Sequence, residues 1–318
     1  MDRRRFLKYN FAASALLPLT RSHTINVKTD AQRIDEKVSS RQICIFIKLL
    51  ERFNYLDIAT ILSESGFKAA DISLRDGGII APEVAKIELP KLVKIFSQKK
   101  ISIPMAVTGI TDPDNQNIET ILKVMKDNDI RYYRLGSIKY NKQISICENL
   151  SILKKKMIKL QELNSKYELH GAIQNHTGMR FGSAVWDAYE VVKECDPKYV
   201  GIQYDVRHAM ADGIGSWPIG LEIALSHIDT TCIKDFTWKE KNGTFSPITV
   251  PLGEGIVDFR KYFEILNTKK ISGPVSIHYE YPPLSSINLT NNSTEQMKKI
   301  IPLLKRDLNI YKKMMGQI

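Results

Sequence analysis

The chain has 318 residues, 43% of them hydrophobic and 25% charged, an ordinary globular composition that is long enough to bury a sizeable core. The formal net charge is +11, of which about +7 remains once the basic first 25 residues (Arg3, Arg4, Arg5, Lys8 and Arg21 against Asp2) are set aside; the other lysines are scattered with no basic stripe interleaved with aromatics, which argues against a nucleic-acid partner. Cys44, Cys147, Cys195 and Cys232 stand far apart with no CxxC, which excludes a zinc-finger spacing and a dense disulfide framework.

Residues 1–25 read as an export signal, with an uncleaved amphipathic anchor as the alternative. MDRRRFLKYNFAASALLPL begins basic and runs into an apolar stretch too short to cross a bilayer. DRRRFLK is similar to the twin-arginine export pattern, with Asp2 where Ser or Thr is usual, and no clean A-x-A cleavage site follows. Residues 26–40 are polar and read as a linker. No other segment approaches 18 apolar residues, so the expectation is a periplasmic or exported protein without a membrane span after signal removal.

From residue 41 to 318 the chain keeps one beat, short runs rich in Ile, Val and Tyr followed by longer stretches at helical spacing. The strand candidates are 43–49, 69–75, 101–107, 131–136, 168–176, 200–206, 229–236 and 273–281. The helical stretches between them include PKLVKIFSQKK, ENLSILKKKMIKLQELNS and FRKYFEILNTKK, and the chain ends in the helix TEQMKKIIPLLKRDLNIYKKM. Eight strand–helix repeats fit a single α/β domain, a (β/α)8 TIM barrel. A doubly wound open sheet is the alternative, weakened in its nucleotide-binding form by the lack of a Gly-rich phosphate loop after the first strand.

In a barrel, chemistry sits where strands end and βα loops begin. There the sequence places Arg75, Arg134, the run Gln174-Asn175-His176, Asp205, His208, Cys232, Lys234, Asp235, His278 and Glu280. Four of the six histidines (His170, His176, His208, His278) fall at these ends or within strand five, where chance would scatter them. Taken alone, Asp205-x-x-His208 is commonly a hydrogen-bonded loop, and Lys234-Asp235 an ordinary ion pair. Cys44 and Cys232 sit in apolar runs and read as buried thiols. The joint pattern over strands five to eight favours a site. Trp186, Trp217 and Trp238 follow strands five, six and seven, and Trp faces stack on sugars, although Trp186 opens an apolar helix and reads as core. Gly253-Glu254-Gly255 reads as a lid or turn, and Arg75 as an inward-pointing residue of the turn RDGG.

The stretches IQNHTG, VWDAYEVV, GIQYDVRHAMADG, IKDFTW, VPLGEG and SIHYEY resemble the sugar phosphate isomerase/epimerase group of xylose isomerase-like TIM barrels, in particular an exported bacterial branch. The resemblance runs from about residue 42 to the end. It implies a divalent metal (Mn, Mg, Zn or Co) held by an acid on strand five, an Asp on six, a His on seven and a Glu on eight. Asp205 and Glu280 match two of these positions; Gln174 and Cys232 stand at the other two. A carboxamide is a neutral ligand, and a thiolate suits zinc better than Mg or Mn. Alternatively, Cys232 is packing and His176 or His208 supplies the nitrogen.

The resemblance also implies that His208 contacts substrate and that two carboxylates, on strands five and eight, work at opposite faces of a sugar. Gln174 does not titrate, so the residues themselves offer Glu280 as base, His176 as a second acid–base, and Lys234 and Arg134 to stabilise developing charge. Arg75, Asn175, Arg207, Asp235, Trp238 and His278 complete the expected substrate contacts. The expected function is isomerisation or epimerisation of a small carbohydrate by proton transfer next to a carbonyl, with two alternatives: a keto-sugar lyase or hydrolase, and a sugar-binding barrel without catalysis. A homodimer is compatible with all three. Apurinic endonucleases share the barrel but use a richer set of His, Asp and Glu.

Overall fold

The structure, a computed structural model, describes residues 41–282, 284 and 293–316; the expected signal and linker lie outside the described residues. Strands β1 (Ile43–Phe46), β2 (Ala69–Leu74), β3 (Ser102–Thr108), β4 (Tyr132–Arg134), β5 (His170–Gln174), β6 (Val200–Asp205) and β7 (Ile228–Ile233) follow one another in sequence. An antiparallel hairpin, β8 (Asp235–Lys241) and β9 (Thr244–Val250), then precedes β10 (Val275–Ile277). The first seven strands and β10 form a closed parallel barrel in which β1 pairs with both β2 and β10. The expected TIM barrel is therefore the fold.

Nine helices among the described residues clothe it: α1 (Tyr55–Ser65), α2 (Ala85–Gln98), α3 (Ile118–Asp127), α4 (Ile146–Tyr167), α5 (Trp186–Val192), α6 (Val206–Asp212), α7 (Trp217–Ala224), α8 (Phe259–Leu266) and α9 (Ser293–Met315). Helix α4 shows how the sequence sets its own limits. Ser145 and Glu148 form a reciprocal capping box at its start, and Glu168 takes a left-handed φ of 56° at its end. Its buried face, Asn149, Leu153, Met157, Leu160 and Asn164, recurs every three or four residues. Asn164 accepts from the Tyr133 hydroxyl at 2.7 Å and donates to the Tyr199 carbonyl at 2.8 Å, pinning the helix to the sheet. No helix among the described residues is long and apolar enough to cross a membrane.

Two features depart from the expected beat. The strand expected over 229–236 ends at Ile233, and its last residues open the hairpin instead. Asn242 and Gly243, both at positive φ (54° and 74°), make the tight turn that a two-residue hairpin requires. Helix α6 starts directly at the end of β6, because the Asp205 side chain caps it by accepting from the His208 amide at 3.2 Å. Trp186, expected in the core, is 52% exposed at the start of α5. Cys44 and Cys232 are buried as expected, and all four cysteines are free.

Strand alternation aims the mouth residues inward. Tyr204 packs outward on Tyr262 while its neighbour Asp205 faces the interior. On the far side, the Tyr279 hydroxyl donates to the Leu304 carbonyl and the Tyr281 hydroxyl to Asp307, both in α9, so His278 and Glu280 turn inward.

Candidate active site

The ends of β5, β6, β7 and β10 bring their charged groups together at the mouth of the barrel. Lys234, 3% exposed, lies immediately beyond β7; its Nζ is 3.2 Å from Asp205 Oδ2 and 3.3 Å from Glu280 Oε2. Its ion partners are these two acids, not its neighbour Asp235. Gln174 Nε2 donates to Asp205 Oδ2 at 2.8 Å and lies 3.5 Å from Cys232 Sγ, while its carbonyl oxygen accepts from the Arg134 guanidinium. Cys232 Sγ is 3.4 Å from His278 Nε2, and His278 Nδ1 is 3.5 Å from Glu280 Oε1.

Burial raises the cost of charge at every one of these groups, and the ammonium decides which stay charged. Asp205 is wholly buried, yet Lys234, His208 and His278 overcome that burial and hold it at about 2. Burial also opposes ionisation of Glu280, but Lys234 and His278 hold it well below the usual carboxylate range. Burial works against the Lys234 charge, and Asp205 and Glu280 together keep it raised. Burial and then Asp205 push the Cys232 thiol well up, so it is a neutral thiol at neutral pH. The three imidazoles are pulled down, burial being the main cause for each.

Two of those imidazoles stack, His176 on His208, with ring centres 3.9 Å apart. Their tautomers follow from their partners. His176 Nδ1 lies 2.9 Å from the Thr177 carbonyl, which only accepts, so Nδ1 carries the proton and Nε2 the lone pair. His208 is the reverse: its Nδ1 accepts from Arg207 Nη1 at 3.0 Å, leaving the proton on Nε2, 3.7 Å from Asp205 Oδ2.

A cavity of about 180 Å³ opens above this cluster. Of the residues expected at the site, Arg75, Arg134, Gln174, His176, Lys234 and Glu280 line it. Asp205, His208, Cys232 and His278 stand behind that wall. Four others serve the scaffold rather than the cavity. Asn175, expected at the substrate, is fully buried and bridges β5 to β6, donating to the Asp205 carbonyl (2.9 Å) and accepting from the Asp205 amide (2.7 Å). Asp235 accepts four backbone N–H groups of its own loop. Arg207 donates to His208 and to the Pro247 carbonyl of β9 and lies over the Phe236 ring. Trp238 sits on the hairpin, edge-on to Phe236. Lys48, Arg180 and Phe46 line the cavity and were not anticipated. Lys48 follows strand one, so the same strand-end rule finds it; Arg180 lies in an irregular loop and gives no such signal.

The donor set does not fit the divalent metal that the resemblance implies, and the departures lie at Gln174 and Cys232. Gln174 turns an N–H, not an oxygen, toward Asp205, and rotating the amide would set its NH2 against the Arg134 guanidinium. Cys232 is a fully buried thiol whose Sγ already lies against Gln174 Nε2 (3.5 Å) and His278 Nε2 (3.4 Å). Asp205 and Glu280 are already bridged by Lys234. Among the described residues no group of three or more His, Cys, Asp or Glu is arranged to hold a metal ion.

The model of the xylose isomerase-like TIM barrel family matches residues 59–306. No curated protein matches the sequence significantly. Among solved structures, the chain is similar to the IolI protein, solved with a bound zinc atom (TM-score 0.66, 18% identity, covering 84% of this chain and 96% of that one). It is also similar to D-psicose 3-epimerase from Clostridium cellulolyticum H10, solved with D-tagatose (TM-score 0.64, 12% identity, 86% and 99% covered). A third is the probable 3-DHS dehydratase AsbF from Bacillus anthracis (TM-score 0.58, 14% identity, 83% and 98% covered). At these identities the three show a shared fold. The match over most of the sequence, on a closed eight-stranded barrel with its polar residues gathered at one mouth, shows that the chain belongs to the xylose isomerase-like TIM barrel family.

Proposed function

We propose that the protein is a sugar isomerase- or epimerase-like enzyme that moves a proton next to the carbonyl of a small carbohydrate. The observation that carries this reading is the pairing, in one small cavity, of a neutral imidazole with a free ring nitrogen and a fixed ammonium: His176 and Lys234. His176 Nε2 takes the proton from the carbon beside the carbonyl. Lys234 and Arg134 face the negative charge that then gathers on the carbonyl oxygen, where a preorganised cation contributes most. Glu280, held well below the usual range, is a weak base; it orients Lys234 and accepts hydrogen bonds from sugar hydroxyls. The same imidazolium returns the proton to the former carbonyl carbon while the hydroxyl proton of the enediolate passes from the second oxygen to the first, which completes an isomerisation with one base.

A second reading, elimination of water from a keto-sugar, is favoured by the scarcity of bases. Among the described residues, His176 is the one histidine lining the cavity and Glu280 its sole carboxylate. After taking the carbon-bound proton, His176 would return it to the departing hydroxyl.

Incubation with a panel of aldoses, ketoses and keto-sugars in heavy water tests both readings. Solvent deuterium is expected at the carbon next to the carbonyl, and His176→Gln is expected to lower the exchange rate by about 10²–10⁴-fold. Because burial lowers the His176 pKa, the acid limb of the wild-type rate should fall below pH 6.5, the ordinary histidine value. Binding of a sugar without exchange at any pH would instead make this a sugar-binding barrel.

A further inference from the structure

We propose that Lys234 takes the place of the divalent metal in this barrel, so that the protein binds and works without one. The resemblance marks Asp205 and Glu280 as two ligands of that metal. The Lys234 ammonium stands between them, 3.2 Å from one carboxylate and 3.3 Å from the other, with its side chain 2% exposed. It is a built-in cation, carried inward by the same alternation that aims Cys232, rather than a surface lysine folded in. The remaining positions agree with it. Asp205 has both oxygens engaged, Oδ1 by the His208 amide and Oδ2 by Gln174 and Lys234. Gln174 offers a donor to that carboxylate, which suits a site with one fewer unit of positive charge to neutralise. A divalent ion bonding the same carboxylate oxygens at about 2.0–2.2 Å would be pressed against a like charge.

The replacement has a chemical use. An ammonium has three N–H donors; Glu280 accepts one, Asp205 holds the charge at ion-pair distance, and Lys234 lines the cavity, so a donor is left for a substrate oxygen. This last step rests on the proton-transfer reading above; the exclusion of metal does not.

The test is metal analysis and thermal unfolding of the full-length protein. The purified chain is expected to carry far less than one metal ion per molecule, and EDTA, Mn²⁺ or Zn²⁺ should each move its Tm by less than about 1 °C, since an ion that does not bind the folded state cannot stabilise it. Lys234→Met removes the ammonium and leaves two facing carboxylates. This variant is expected to be less stable, and to regain stability on addition of Mn²⁺ or Zn²⁺. Stoichiometric metal in the native protein, or a clear rise of its Tm with either ion, overturns the proposal. A folded Lys234→Met protein indifferent to both ions overturns it as well; should that variant fail to fold, the native measurements decide. Absence of sugar exchange in the metal-free native protein, unchanged by Mn²⁺ or Zn²⁺, would sink the proposed reaction and leave the metal replacement standing; exchange that appears only on adding either ion overturns the replacement.

Discussion

A single buried acid inside the barrel illustrates how residue-scale chemistry reaches stability. Asp71 on β2 is wholly buried, accepts from the Ser276 hydroxyl at 2.7 Å through Oδ2, and has no partner at Oδ1 among the described residues. Burial raises it from 3.8 to about 6, against the pull of Ser276, Arg134 and Arg75. The folded protein therefore prefers Asp71 protonated. Its contribution is fully present below pH 3.8 and is lost as the pH rises through about 6. Replacing it by the uncharged isostere, Asp71→Asn, should remove that loss: relative to wild type, the variant should gain on the order of 2–3 kcal/mol between about pH 3.5 and pH 8, by urea unfolding at the two pH values. A wild type whose stability is flat across that range would contradict the assignment. The strand-end rule located Asp205, Lys234 and Glu280 from sequence, but it also selected Asn175 and Asp235, which serve the backbone. A carboxylate or amide at a strand end looks the same whether its partner is a substrate or a loop N–H, and only the folded chain separates them.

At the scale of the element, Asp235 and the segment VPLGEG form one unit. The carboxylate accepts from the amides of Phe236 (2.9 Å), Gly253 (3.0 Å), Gly255 (3.0 Å) and Val257 (3.1 Å). A side chain at Gly255 would put its Cβ 2.1 Å from Asp235 Oδ1, and Gly253 has a φ of +82°. The loop expected to act as a lid or turn is a turn wound around a buried acid. Gly255→Ala should cost about 2–4 kcal/mol, read as a lowered denaturation midpoint, through clash and lost hydrogen bonds; a change of a few tenths would mean the loop adapts freely. The hairpin was legible in principle, since Asn242-Gly243 between two strand-like arms is a strong local signal. It was hidden because DTTCIKDF, residues 229–236, also reads as one continuous strand if Lys234 is passed over as a break; the strand stops where the chain carries Lys234 into the mouth.

For the molecule as a whole, closure is the decisive event, because the first strand and the last must meet. Arg41, just before β1, stitches that seam: Nε donates to the Gly273 carbonyl (2.7 Å), and Nη2 to the Pro274 carbonyl (3.2 Å) and the Thr231 hydroxyl (3.0 Å). Arg41→Met should therefore lower the unfolding free energy by about 1–3 kcal/mol in urea titration, the range for hydrogen bonds to a charged donor, without altering sugar binding at the opposite end. The barrel itself was readable from the eight-fold alternation of short β-rich runs and helical stretches. The fate of the metal ligands expected from the resemblance was not, because it depends on which way one amide faces and where one ammonium comes to rest.

The two phenols flanking Glu280 give the outer helix a say in the chemistry. Tyr279 and Tyr281 are moored to α9 on the outside of the barrel, so the reach of the acid between them is gauged from the far surface. A shift of that helix along its own axis would pull on both moorings, and with them on the strand end that carries Glu280 beside Lys234.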